Sequence, residues 1–181
     1  MRFVATDIPG VVVVESDPHR DGRGAFARLY CPKEFAAAGI PFTPTQINLS
    51  TNPQAGTLRG LHFQDPPFAE AKLVRAMRGR AFDVAVDLRP ESPTFRRWTS
   101  VVLDAAAMNA IFIPEGCAHG FLTLEADTDI LYQMGRDFEP GHARGYRYDD
   151  PAFGIAWPSE PRVIGEADLG WGTFAKPGDP A

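Results

Sequence analysis

Only four of the 181 residues are histidines, and two of them lie in strand-like, apolar surroundings: His62 in "TLRGLHFQ" and His119 in "IPEGCAHGF". An imidazole changes charge near neutral pH, so either could move a proton. Around them the chain offers cations (Arg59, Lys72), a phenol (Tyr132) and carboxylates (Asp83, Asp168). Such a set can remove and return a proton without a metal. Taken singly, each residue has an ordinary structural role. A lone histidine in a strand is commonly a hydrogen-bonded core residue, Lys72 a surface lysine, Tyr132 a core tyrosine and Asp168 a turn residue. His19 and His142 fall in loop-like sequence and read as solvated.

A metal centre needs more. The spacing Pro114-x-Gly116-x-x-His119 resembles the second metal motif of the cupins, which are small jelly-roll barrels. The first such motif pairs two histidines at i and i+2, on one face of a strand. Here that pair is His62 and Gln64, followed by Asp65 in a Pro-rich turn. The set lacks an imidazole, so no metal site is expected.

The elements that must hold these residues are short strands. "GVVVVES", "WTSVVLD", "NAIFIP", "HGFLTLE" and "DTDILYQM" all read as strands, and the pattern from Gln46 almost to Trp157 is strand, turn, strand. "KLVRAMRGRAFDVAVDL" reads as a hairpin turning at Arg78-Gly79. "CPKEFAAAG" reads as one short helix, with Pro32 in its first turn and Gly39 as its stop. In "AFDVAVDL" the two-residue period puts Phe82, Val84, Val86 and Leu88 on one face. Ala81, Asp83, Ala85 and Asp87 share the other. An inward Asp83 needs a buried His or Arg as partner. The apolar outer face needs cover, for which a second subunit is one candidate.

Composition bounds the rest. The length suits one domain over residues 1–181, with a tail from about residue 170 expected to be mobile. Hydrophobic residues make up 44% and charged residues 23%, ordinary for a globular chain. The 17 Gly and 17 Pro favour an all-β sandwich or barrel with many turns. A net charge of −5 argues against a nucleic-acid face. Cys31 and Cys117 form no metal or redox spacing and read as reduced thiols. The opening "MRFVATDIPG" has no signal-peptide core, and no apolar run approaches a membrane span. A soluble, cytoplasmic protein with no membrane contact is expected.

Six stretches carry a wider resemblance: "RGLHFQ", "KLVRAMRGRAFDVAVDLR", "SPTFRRW", "IPEGCAHGFLTL", "LYQM" and "RGYRYDDPAFGIAWP". Together they resemble the dTDP-4-dehydrorhamnose 3,5-epimerase family, with weaker likeness at "DGRGAF" and at Asp168. The likeness runs from about Asp7 to Asp168. It implies an all-β, cupin-type jelly roll with a few short helices, needing no metal and no cofactor, and forming a homodimer. It implies His62 as catalytic base with Asp168 as its acid partner, Tyr132 as proton donor, and Lys72 near the substrate's keto oxygen. It implies a second pair, His119 with Asp83. It implies contacts to a nucleotide sugar from Arg23, Phe26, Gln46, Asn48 and Arg59, the first two across the dimer. Phe138 stands where the family often has a stacking Tyr. The family's Ser-x-Lys-Asp ending is here Gly165-Glu166-Ala167-Asp168.

The implied reaction explains the cast. A ketone at C4 acidifies the C–H bonds at C3 and C5. Loss of either proton gives an enolate, whose oxygen needs a donor or cation. Inversion then needs a second acid on the opposite face of the sugar. Gly60 is expected to let Arg59 and His62 turn toward one pocket, where strict alternation would oppose them. The expectation is epimerisation of a nucleotide-linked 4-keto-6-deoxyhexose at C3 and C5. The alternatives are a C3-only or C5-only epimerase, a metal-dependent cupin enzyme, and a non-catalytic sugar-nucleotide binder.

Overall fold

The computed structural model describes residues 1–174. Two sheets face each other as a jelly roll. The first has the order β1 (Arg2–Ala5), β2 (Val12–Glu15), β10 (Ala110–Ile113), β7 (Lys72–Arg78), β12 (Thr128–Met134), β5 (Gln46–Asn52). The second runs β13 (Ala143–Gly145), β6 (Thr57–Gln64), β11 (Cys117–Thr123), β8 (Arg80–Asp87), β9 (Trp98–Asp104), with β14 (Val163–Ile164) added in parallel on β6. A separate ribbon pairs β3 (His19–Asp21) with β4 (Gly24–Phe26). Helices are few: α1 (Pro32–Ala37), α2 (Glu166–Leu169) and one 3-10 turn (Pro140–His142). No helix among the described residues is long and apolar enough to cross a membrane.

The interior follows the two-residue period. Val74, Ala76, Ala81, Ala85, Ile111, Ile113 and Ile130 meet between the sheets as one buried cluster. On the first sheet's outer face, Leu73 and Phe112 pack under Phe35 of α1 and under Phe42. Helix α1 starts with Pro32 in its first turn and is followed by Gly39 at φ +77°, as its sequence predicts. Both cysteines are free, and burial pushes the Cys117 thiol up to about 12.

Three expectations are corrected here. The Arg78-Gly79 turn exists, with Gly79 at φ +69°, but β7 and β8 do not pair. They lie in different sheets and turn Val74, Ala76, Ala81 and Ala85 toward one another across the interior. The turn is an arch between layers because each strand has a small-residue face to bury.

The outer face of β8 is covered by the same chain. Val84 and Val86 pack under Phe153, Tyr146, Ile155, Trp157 and Phe174. Residues 146–157, read as part of a strand pattern, form an irregular apolar cover instead. No second subunit is needed over that face.

Of the tail expected to be mobile from about residue 170, residues 170–174 are described. Trp171 packs near His62, and Phe174 packs on Tyr146 and Phe153. The rest of that stretch, 175–181, lies outside the described residues.

Candidate active site

Beside the buried cluster, between the sheets, lies a cavity of about 630 Å³, the size of a small-molecule site. Its walls come from both sheets. His62 and Arg59 on β6 and His119 on β11 face it from one side. Lys72 on β7, Tyr132 on β12, and Gln46 and Asn48 on β5 face it from the other.

Strict alternation would set Arg59 and His62 on opposite faces of β6. A bulge prevents this. Between the pairs His119–His62 and Phe121–Arg59, β6 spends three residue steps against two on β11. Gly60 makes the bulge feasible. Its φ is +117°, and a Cβ there would lie 2.6 Å from the Cα of Gly120. The expected role of Gly60 therefore has a structural basis.

His62 Nε2 lies 2.5 Å from Asp168 Oδ1, with Asp168 brought in by α2. The Gly60 N–H donates to the other oxygen, Oδ2, at 3.3 Å. Burial alone would raise the Asp168 carboxyl. The hydrogen bond and charge of His62, with the Gly60 N–H, outweigh it and hold the carboxyl below its ordinary range. An ionised carboxylate only accepts, so Nε2 is the ring nitrogen that carries a proton toward Asp168. The carboxylate thus fixes the orientation of the His62 ring at the cavity wall.

His119 forms the second pair, with Nε2 2.9 Å from Asp83 Oδ2. Asp83 points inward, as the alternation of β8 requires, and is fully buried. Burial pushes its carboxyl up, against the pull of His119 and Lys72. Asp83 stands behind His119 and does not itself line the cavity. Tyr132 packs near His119 and Phe121, at ring-centroid distances of 6.0 and 6.4 Å. Burial drives the Tyr132 phenol far above its ordinary value, with Asp83 and Asp168 adding to the rise against Ser50 and Arg59. The phenol therefore stays protonated and can act as an acid.

Other candidates line the mouth. Arg59 Nε donates to Asn52 Oδ1 at 2.9 Å. The Phe138 N–H donates to Gln46 Oε1 at 3.0 Å, which ties this exposed ring to the cavity wall. Arg23 and Phe26 are not brought to the cavity. They sit on the β3–β4 ribbon, where Arg23 pairs with Asp21 and Phe26 is 80% exposed.

Gln64 is not free to bind a metal. Its amide donates to the carbonyls of Phe68 and Asp137, and its oxygen accepts the Glu139 N–H. Among the described residues no three His, Cys, Asp or Glu side chains converge as a metal site.

Several contributors were not singled out from sequence. Glu70 lies buried in the wall beside Lys72. Glu70 lies two residues ahead of β7, in the connection that leads into Lys72, and the sequence there carried no strand signal for it. Trp171 stacks edge-on to His62, with ring centroids 6.4 Å apart, and fills the space where a Cβ on Gly145 would fall. Its Gly-rich surroundings read as tail. His142, read as solvated, instead has Nδ1 2.6 Å from Asp65 Oδ1 and packs on Phe68. Arg144, which lines the cavity, takes the other Asp65 oxygen at 2.9 Å.

Residues 5–176 match the family described as dTDP-4-dehydrorhamnose 3,5-epimerase. A dTDP-4-dehydrorhamnose 3,5-epimerase of Sinorhizobium fredii is 43% identical over 158 residues, 87% of this chain and 81% of that protein. A dTDP-4-dehydrorhamnose 3-epimerase of Streptomyces niveus is 35% identical over 169 residues, 93% of this chain and 81% of that one. The crystal structure of a dTDP-4-dehydrorhamnose 3,5-epimerase from Bacillus anthracis, with TDP and PPi bound, superposes with a TM-score of 0.92 at 33% identity. That match covers 96% of this chain and 99% of the other. The sheets, the cavity and the sequence thus lead to one conclusion: the chain belongs to the dTDP-4-dehydrorhamnose 3,5-epimerase family.

Proposed function

We propose that this protein converts dTDP-4-dehydro-6-deoxyglucose to dTDP-4-dehydrorhamnose by inverting C3 and C5. One observation carries the reading. A carboxylate-held imidazole base, His62, and a protonated phenol, Tyr132, line one cavity from opposing sheets.

The sugar lies between them. His62 Nδ1 takes a proton from the carbon next to the C4 ketone, and the bonding pair moves to the carbonyl oxygen as an enolate. The ammonium of Lys72 supports that oxygen. Tyr132 returns a proton to the opposite face, which inverts the centre. Asp168 holds the imidazole tautomer and stabilises the imidazolium. His119, backed by Asp83, adds a polar group to the same wall. Arg59 answers the diphosphate, with Gln46 and Asn48 beside it, and Phe138 stacks on the base. The ligands of the Bacillus anthracis structure support a nucleotide-linked substrate.

The protein works as a cytoplasmic homodimer and as one catalytic unit. The dimer face is the outer side of β5, β12 and β7, beside the part of the first sheet that α1 and Phe42 cover. There Ile47 and Leu49 on β5 are 62% and 57% exposed and Met77 on β7 is 49% exposed, with β12 between the two strands. A partner seated there can carry its own β3–β4 ribbon, with Arg23 and Phe26, toward the nucleotide.

Incubation of the 4-keto sugar nucleotide in heavy water tests the reaction. Deuterium at C3 and C5 with inversion at both supports it. Deuterium at C3 alone favours the second reading, a C3-only epimerase, which the Streptomyces niveus relative supports. No incorporation with intact binding leaves a sugar-nucleotide binder, and loss of activity on chelation favours a metal-dependent cupin enzyme.

A further inference from the structure

Glu70 and Lys72 form a buried ion pair, with Oε1 2.6 Å from Nζ and the two residues only 6% and 5% exposed. The other carboxylate oxygen, Oε2, is buried with no hydrogen-bond partner among the described residues. Lys72 is therefore the group that neutralises this carboxylate. The lysine has a second fixed contact. Nζ donates to the backbone carbonyl oxygen of His62 at 3.1 Å. This bond crosses from β7 in one sheet to β6 in the other.

An ammonium has three N–H donors on a freely rotating stem. Glu70 takes one and the His62 carbonyl takes another. Two fixed bonds stop the rotation and set the direction of the third N–H. Both residues line the cavity, so that third donor is the one left for a ligand. A single anchor would leave the ammonium free to spin, and the donor would meet a developing oxyanion only part of the time.

We propose that Glu70 is a positioning residue that locks the Lys72 ammonium, so that one N–H is aimed at the keto oxygen where the enolate forms. The role rests on the epimerase reading above, because it needs a substrate with that oxygen. It also ties the electrophile to the base, since the second anchor is the backbone of His62. Glu70 acts through Lys72 and does not touch the sugar.

The test compares Glu70→Gln with Glu70→Met, two side chains of similar length that differ in carrying an acceptor. Each purified variant is assayed on dTDP-4-dehydro-6-deoxyglucose in heavy water, with kcat, KM and deuterium incorporation read together. Glu70→Gln keeps an oxygen for the ammonium, and its kcat stays within about fivefold of wild type. Glu70→Met frees the ammonium, and kcat and exchange fall roughly tenfold to a hundredfold with KM within about twofold. Should Glu70→Met not fold, Glu70→Asp gives the same readout, because the shortened side chain draws the carboxylate back from Nζ. A folded Glu70→Met or Glu70→Asp with wild-type kcat overturns the positioning role while wild-type exchange still supports the epimerase reading. Loss in Glu70→Gln equal to that in Glu70→Met also overturns it. Absence of exchange in the wild-type protein itself overturns both.

Discussion

His62 and Tyr132 face the same cavity from different sheets, His62 from β6 and Tyr132 from β12. A flat sugar lying between two sheets has one face toward each. Removing a proton toward one sheet and returning it from the other inverts the carbon without moving the sugar. The jelly roll supplies this opposition, because its two layers look at each other across the interior. The same relationship lets the two steps be separated by mutation.

His62→Asn should remove deuterium exchange at every carbon, because among the described residues no other imidazole lining the cavity is paired with Asp168. Loss of a general base costs about a hundred- to ten-thousandfold. Exchange near the wild-type rate, read by NMR of the recovered sugar nucleotide, would exclude His62 as the base.

Tyr132→Phe should exchange without inverting. The ring stays packed near His119 and Phe121, and only the hydroxyl is lost. His62 and Lys72 still form the enolate, and the proton returns from His62 on its original face. Deuterium content and product stereochemistry are read on one sample. Inversion at the wild-type rate would remove Tyr132 as the acid.

Gly60→Ala should destabilise the fold by roughly 2–4 kcal/mol. The added Cβ would meet the backbone of Gly120 and His119 at 2.6 and 2.7 Å, at a φ that side chains rarely adopt. The atoms it would meet are backbone of β11, which leaves little room to relax. The measurement is the urea midpoint. A shift under about 0.5 kcal/mol would show that the bulge adjusts and that Gly60 is not required for it.

Asp168→Asn should weaken both activity and stability, and the stability loss should depend on pH. The folded carboxyl lies below its ordinary value of 3.8. Its contribution is therefore fully present above about pH 4–5 and is lost as pH falls through the folded value. The variant should melt below wild type at pH 7, by about 1 kcal/mol for this partly solvated pair, and the gap should narrow as pH falls below 3.8 toward the lowered folded value. Thermal melts at pH 7, 5 and 3 check the sign. A gap that widens in acid would mean that the carboxyl is raised, not lowered.

Leu49→Lys should yield a monomer in sedimentation if the outer face of β5, β12 and β7 joins two copies. Leu49 is directed away from the cavity, so the fold and the cavity should persist. A wild-type monomer at micromolar concentration would count against the dimer and against cross-subunit roles for Arg23 and Phe26.

Local pattern alone determined a good part of this protein. The strand period of residues 81–88 put Asp83 inside and demanded a partner, which His119 supplies at 2.9 Å. Gly60 between Arg59 and His62 signalled a break in alternation, because glycine is the residue that permits a backbone to approach so closely. The motifs around His62, Lys72, His119 and Tyr132 are contiguous, so their types and order could be read directly. What lay beyond the sequence was whatever depends on which surfaces meet. Arg78-Gly79 marks a turn equally well for a hairpin or for an arch, and only the need to bury two small-residue faces against each other selected the arch. The apolar face of β8 called for cover, but its cover comes from Tyr146, Phe153 and Trp157, more than fifty residues on. Trp171 looked like tail until packing against Gly145 and His62 gave it a place. Glu70 became part of the site only when the fold excluded water around it and left Lys72 as its partner. Periodicity is carried by neighbours along the chain, whereas pairing, cover and burial are set by contacts between distant segments.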